Sequence, residues 1–244
     1  MWFRRSSHAD PRAVDEEYSI VCQGIVKDFG RGQSEVRVLH GIDIAFKAGA
    51  TTFLVGPSGC GKTTLISILA GLLTPTAGAV QILGKSIWKL RKSQLVDFRA
   101  SHLGFIFQQF NLIPALTAAE NAAVSLVVQG STLAHAKRVS YELLDRLGLG
   151  ASKNKYPNQL SGGQQQRVAI ARALAHQPSI VICDEPTASL DADTGHAVME
   201  LLQSVASDGQ RTVVVVTHDS RIYPFADYIA TMADGRILSM EQRK

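Results

Sequence analysis

The chain has 244 residues, 45% hydrophobic and 19% charged, with 25 Lys plus Arg against 21 Asp plus Glu for a formal net charge of +4. That is enough apolar mass for one large domain or two small ones, and it excludes a disordered or fibrous chain. So small a basic excess gives no argument for nucleic acid as a partner.

Residues 1 to about 17, opening MWFRR, read as a polar tail and not as an apolar leader. No run approaches the ~20 apolar residues of a membrane span, so a soluble intracellular protein that can dock on a membrane protein is expected. Cys22, Cys60 and Cys183 lie far apart with no CxxC pair, which argues against a zinc site or a disulfide framework. Strand-like stretches follow in YSIVCQGIVKDF (18–29), VRVLHGIDIAF (36–46) and TTFLV (51–55). A helix, TTLISILAGLL, opens after a Gly-rich turn and closes near Gly71 and Pro75. AVQIL and LGFIF read as a further strand pair bracketing a polar helical segment at SQLVDFRASH. From Gln108 to about Leu160 the pattern turns helical, in TAAENAAVSLVV and TLAHAKRVSYELLDRLGL. Strands return with SIVICDEP, RTVVVVTHD and YIATMADGRILSM. Runs as apolar as IVIC and VVVV are what parallel strands look like when both faces are covered. The pattern predicts an α/β core interrupted by a helical subdomain.

Gly56, Pro57, Ser58, Gly59, Cys60, Gly61, Lys62 and Thr63 spell GPSGCGKT, a phosphate-binding loop between a strand and a helix. Glycines let backbone N–H groups wrap an anion with no Cβ in the way, and the helix start at Thr63 and Thr64 adds its positive dipole end. Lys62 then bridges β- and γ-phosphates, and the Thr63 hydroxyl serves Mg²⁺. Asp184 and Glu185 end an apolar strand and point in different directions, which suits Asp184 to the metal shell and Glu185 to general-base work. His218 follows another strand, TVVVVT. All three positions lie at carboxyl ends of strands, where ligands bind in open parallel sheets. Their convergence favours ATP hydrolysis over binding alone.

At LSGGQQQRVAIARAL (160–174) and VICDEPTASLD the chain resembles the ATP-binding cassette family, with the signature, Walker B and D-loop motifs in family order. Ser161 is a good helix N-cap, and Gly162 and Gly163 leave room for an approaching anion at that helix start. The resemblance implies a P-loop NTPase fold: a RecA-like parallel core sheet with an N-terminal antiparallel β-subdomain and an inserted α-helical subdomain. It divides a single nucleotide-binding domain, 18–244, into core (18–107 and 173–244) and helical (108–172) parts. It further implies ATP and Mg²⁺ as ligands and a head-to-tail homodimer. In that dimer Ser161, Gly162, Gly163 and Gln164 of one chain address the γ-phosphate on the P-loop of the other. Gln108 matches the Q-loop glutamine serving Mg²⁺ and water, with Gln109 next to it in an alternative register. Asp191 matches the D-loop residue, and His218 the switch histidine. Phe29 sits where the family usually has an adenine-stacking Tyr; it keeps the π-face, and a core phenylalanine is the alternative. Cys60 is either a small residue in a permissive slot, the favoured reading, or a thiol activated by Lys62 and the helix start, in which case alkylation would block ATPase activity.

The stretch GFIFQQFNLIPALTAAENA is similar to ATPases of the macrolide-exporter and lipoprotein-releasing branch. The resemblance thus implies an integral membrane permease as partner, a periplasmic adaptor or membrane-fusion protein as a further candidate, no nucleic acid, and residence at the cytoplasmic face of the inner membrane. A soluble cassette ATPase, of the cofactor-assembly type for example, is the alternative, and a P-loop kinase or switch would leave LSGGQ without a role.

Overall fold

A computed structural model describes residues 17–206 and 211–243; the expected polar tail, apart from Glu17, lies outside them. The N-terminal strands β1 (Tyr18–Phe29) and β2 (Val36–Lys47) form an antiparallel pair, with Ile20 opposite Phe46 and Ile25 opposite Ile42. With β4 (Ala77–Ile82) and β5 (Lys85–Ser86) they make a four-stranded sheet in the order β2-β1-β4-β5. The second sheet comprises β3 (Thr51–Val55), β6 (Leu103–Ile106), β7 (Ile180–Asp184), β8 (Thr212–Thr217), β9 (Tyr228–Ala233) and β10 (Arg236–Gln242). Its order is β10-β9-β3-β8-β7-β6, parallel throughout except for β10 at one edge.

Every residue of β3 and β8 is buried, because both faces of the parallel sheet are covered. Alternation then sorts the side chains. Leu54, Val214 and Val216 face the core shared with the antiparallel sheet and α1 (Lys62–Leu69). Phe53, Val213 and Val215 face the opposite core, where α6 (Ala192–Ala206) supplies Val198, Met199 and Leu202. Near Gly71 the turn after α1 follows the expected stop signal: Gly71 takes φ +66°, and Leu72 N–H reaches back to Ser67 O.

AVQIL and LGFIF do not pair with each other. The former lies in β4 against β1, the latter in β6 against β7, and α2 (Lys92–His102) carries the chain between the sheets. Period-two patterning marks a strand without naming its neighbour.

The helical region holds α3 (Ala118–Val128), α4 (Leu133–Arg146) and α5 (Gly162–Leu174) around Ala118, Ala122, Leu144 and Val168. Thr117 caps α3 reciprocally with Glu120, and Thr132 caps α4. Residue 172 lies within α5. Val168 and Ala171 of this helix pack into the helical cluster, while Ile170 and Ala173 pack into the core. Its 13 residues therefore belong to both parts.

Candidate nucleotide site

The loop from Gly56 to Gly61 joins β3 to α1. Gly56, Gly59 and Gly61 take φ values of +150°, +80° and +101°, a left-handed region that side chains resist. Space matters as much as torsion: a Cβ on Gly56 would overlap the Met232 carbonyl oxygen, and one on Gly61 would come within 2.8 Å of Leu39 Cδ2. No side chain caps α1 at Gly61, which leaves its first-turn N–H groups for a ligand. Pro57, Ser58 and Gly59 are exposed at the rim, and Thr64 is half-buried in the first turn. Lys62 is only 7% exposed, and its Nζ donates to Gly56 O at 2.8 Å and Pro57 O at 2.9 Å. The ammonium thus lies folded into the loop, held by neutral carbonyls that an anion can replace. Cys60 is buried, with Sγ 3.8 Å from Lys62 Nζ, so an alkylating reagent must open the loop to reach it. Cys22 and Cys183 are likewise buried and unpaired.

Asp184 and Glu185 diverge as their neighbouring positions require. Asp184 Oδ1 accepts from the Thr63 hydroxyl at 3.4 Å, across the gap between β7 and α1. Burial pushes the Asp184 carboxyl above its ordinary range, the Thr63 bond pulls it back, the Glu185 charge raises it further and Lys62 lowers it. A hydroxyl and a carboxylate brought together are the hard oxygen donors that suit Mg²⁺. Glu185 turns the other way, with its N–H on Val216 O and φ at +49°, a strained value for a non-glycine residue. Its carboxylate, 12% exposed, accepts from Nδ1 of His218, 63% exposed, at 2.7 Å. Behind His218, Asp219 N–H donates to Thr217 Oγ1, and the Asp219 carboxylate is clamped by the Arg221 guanidinium. Glu185, His218, Asp219 and Arg221 line one open cleft.

The signature residues open α5. Ser161 Oγ accepts from Gln164 N–H at 3.3 Å and Gln164 Oε1 accepts from Ser161 N–H at 3.0 Å, a reciprocal cap. Gly162 has ordinary clearance, but a Cβ on Gly163 would strike Thr194 Cγ2 of the same chain. The vacancy at Gly163 therefore serves packing against α6 before any anion is considered. Asp191 holds that Thr194, accepting its N–H at 2.9 Å and its hydroxyl at 2.7 Å at the start of α6. These bonds draw the Asp191 carboxyl below its ordinary range.

Gln108 and Gln109 are both exposed just past β6. Phe29 is 41% exposed at the end of β1 with Lys27 Nζ 5.0 Å from its ring centroid, which excludes the core alternative and leaves a π-face available. Three anchoring residues were missed by sequence reasoning. Gln166, buried in α5, donates to Pro186 O at 2.8 Å; Arg172 grips the carbonyls of Phe110 and Asn111; fully buried Asn121 fixes Ile113. Gln166 and Arg172 stand inside the LSGGQQQRVAIARAL stretch, but nothing in their spacing marks the distant carbonyls they reach.

A model of the ABC transporter family matches residues 39–188. The chain belongs to that family. Two ABC transporter ATP-binding proteins of Mycobacterium tuberculosis are 43% identical to it over 86% of this chain, which spans 63% of their length. The lipoprotein-releasing system ATP-binding protein LolD of Chromohalobacter salexigens is 36% identical over 95% of this chain and 98% of its own. The macrolide export ATP-binding/permease protein MacB of Aggregatibacter actinomycetemcomitans is 43% identical over 88% of this chain and 33% of its own. Among solved structures, a dimeric post-hydrolysis state of the ATP-binding cassette MJ0796 bound to ADP and Pi superimposes with a TM-score of 0.86 at 38% identity, covering 92% of this chain and 99% of that one. A P-loop fold of parallel core sheet, antiparallel subdomain and helices is thereby shared with a cassette of known structure. No helix among the described residues is long and apolar enough to cross a membrane.

Proposed function

We propose that this chain binds and hydrolyses ATP as the nucleotide-binding subunit of an ABC transporter, with two copies closing head to tail around two nucleotides. The observation that carries the reading is Glu185 Oε1 2.7 Å from His218 Nδ1, next to the Thr63–Asp184 contact and the P-loop. In this reading the Lys62 ammonium leaves its carbonyls for the β- and γ-phosphates, and Phe29 stacks on the adenine. Thr63 and Asp184, with Gln108, would hold Mg²⁺, which when bound neutralises charge on the phosphate oxygens. Glu185 takes a proton from water as the water oxygen attacks the γ-phosphorus and the bond to the bridging oxygen breaks, giving ADP and phosphate. With Nδ1 on Glu185, His218 keeps Nε2 for the γ-phosphate. Ser161 and Gly163 address the nucleotide of the opposite chain, and Asp191 faces that chain.

Closure works on a separate membrane permease, in export, extraction or mechanotransmission, at the cytoplasmic face of the inner membrane, with a periplasmic adaptor as a further partner. LolD and MacB, named for lipoprotein release and macrolide export, support this branch. The test is Glu185→Gln. Turnover should fall by ~10²–10⁴, the contribution of a general base, while ATP binding persists and dimers accumulate in Mg²⁺-ATP by light scattering. An active Glu185→Gln protein overturns the assignment. Native pull-down from detergent-solubilised membranes should bring down an integral membrane protein in stoichiometric amount; a clean chain without one removes the transporter reading.

A further inference from the structure

Between the core and the helical region the chain crosses a short joint after β6. On the core side the Phe107 ring packs on Phe105 of β6 with centroids 4.3 Å apart. On the far side every described anchor comes from the helical region. Arg172 Nη2 donates to Phe110 O at 2.9 Å, and Nη1 donates to Asn111 O. Fully buried Asn121 accepts Ile113 N–H at 2.7 Å and donates to Ile113 O, Leu116 O and Thr117 O. Gln108 and Gln109 lie between these anchorages, both exposed.

Arg172 belongs with Arg99, Arg167 and Arg236, whose described side-chain hydrogen bonds go to backbone carbonyls. Arg37 and Arg221 lean on carboxylates, Asp28 and Asp219, whereas Arg172 pairs with no carboxylate among the described residues. Burial pushes its guanidinium below the ordinary arginine range, yet a guanidinium remains charged in proteins. Arg172 is half-buried, and its charge is directed at two successive carbonyls, the second on Asn111, whose φ of +48° is itself left-handed. Along the same helix Gln166 holds Pro186 O, one residue past Glu185, and Ser161 caps the end. One helix thus carries the signature end and touches both other segments.

We propose that Arg172 is a positioning residue that ties the segment following Gln108–Gln109 to α5, so that this segment and the signature end of α5 move as one body. The proposal rests on the functional reading above, in which Gln108 serves the nucleotide of its own chain and Ser161 that of the partner copy. Arg172 would then make each chain's two nucleotide contacts interdependent.

The test is Arg172→Lys, which keeps the charge and loses the two-carbonyl grip. Steady-state ATPase activity should show kcat lowered about tenfold, the order expected for a lost charge-assisted hydrogen bond, with KM for Mg²⁺-ATP within about twofold. Hydrogen exchange should quicken over residues 107–113 and not across the sheets. Unchanged kcat, or a loss that only follows a general rise in exchange, overturns the proposal. Should Arg172→Lys fail to fold, wild-type protein answers: Mg²⁺-ATP should protect 107–113 and 161–174 together, and protection of one segment alone overturns it. An active Glu185→Gln control would instead bring down the functional reading, and the role of Arg172 with it.

Discussion

The two parts of the proposed nucleotide site differ in how far their residues contact one another within one chain. At the carboxyl edge of the parallel sheet, Lys62, Thr63, Asp184, Glu185 and His218 already contact one another or the loop that carries them. In the helical region the signature residues engage only their own surroundings. Ser161 and Gln164 cap their own helix, Gly163 accommodates Thr194, and Gln108 is exposed. In the proposed reading the reacting groups are gathered within one chain, whereas the signature residues form a capped, well-packed surface addressed to the partner copy. Strand ends hold their side chains at short range, and helix caps and close packing preserve the shape of a surface.

His218→Ala should break the comparison most forcefully if it is wrong. Turnover should fall by ~10²–10³, in the range of a lost acid–base partner, with ATP binding by fluorescent nucleotide titration nearly unchanged. Loss of binding as well would mean that the sheet edge is not assembled in advance. Next in size, Gly163→Ala should destabilise the protein by about 1–3 kcal/mol in urea unfolding, because Thr194 is pinned by Asp191 and cannot turn away. Adding Thr194→Ser removes the obstructing methyl, keeps the hydroxyl and should restore most of that loss. Full stability but lost turnover in the double variant would show the glycine also reserved for a ligand. Ser161→Ala should cost ~1 kcal/mol through the cap alone, read as a lowered midpoint in the same unfolding curve. Smallest of all, Phe29→Ala should raise KM for ATP about fivefold, the order of one lost stacking contact, while Phe29→Tyr stays near wild type.

What could be read in the sequence was whatever is contiguous. GPSGCGKT places a lysine and a hydroxyl between strand and helix, and the IVICDE run places two carboxylates at a strand end, so each local arrangement follows from a few neighbouring residues. The meeting of those segments followed from the parallel-sheet rule, since β3, β7 and β8 all end on one side. Illegible were contacts set by tertiary approach. Arg172 reaches carbonyls 61 and 62 residues away, and Gln166 one 20 residues away, and a carbonyl acceptor is the same at every position. The left-handed turn at Glu185 was hidden too, because nothing about a glutamate announces it. Strand pairing failed at β4 and β6 for the same reason: alternation describes a strand's two faces and is silent about its edges. Exposure of Phe29 needed the structure as well, since a phenylalanine ending a strand fits core and surface equally.

The hold of Gly56 and Pro57 on Lys62 has a kinetic corollary. The acceptors that Lys62 would give up for phosphate oxygens are carbonyls of its own loop, five and six residues back along the chain. If ATP binding exchanges these acceptors within a standing loop, as proposed, association should proceed as a single bimolecular phase whose rate rises in proportion to ATP concentration, with no plateau from a prior ordering step.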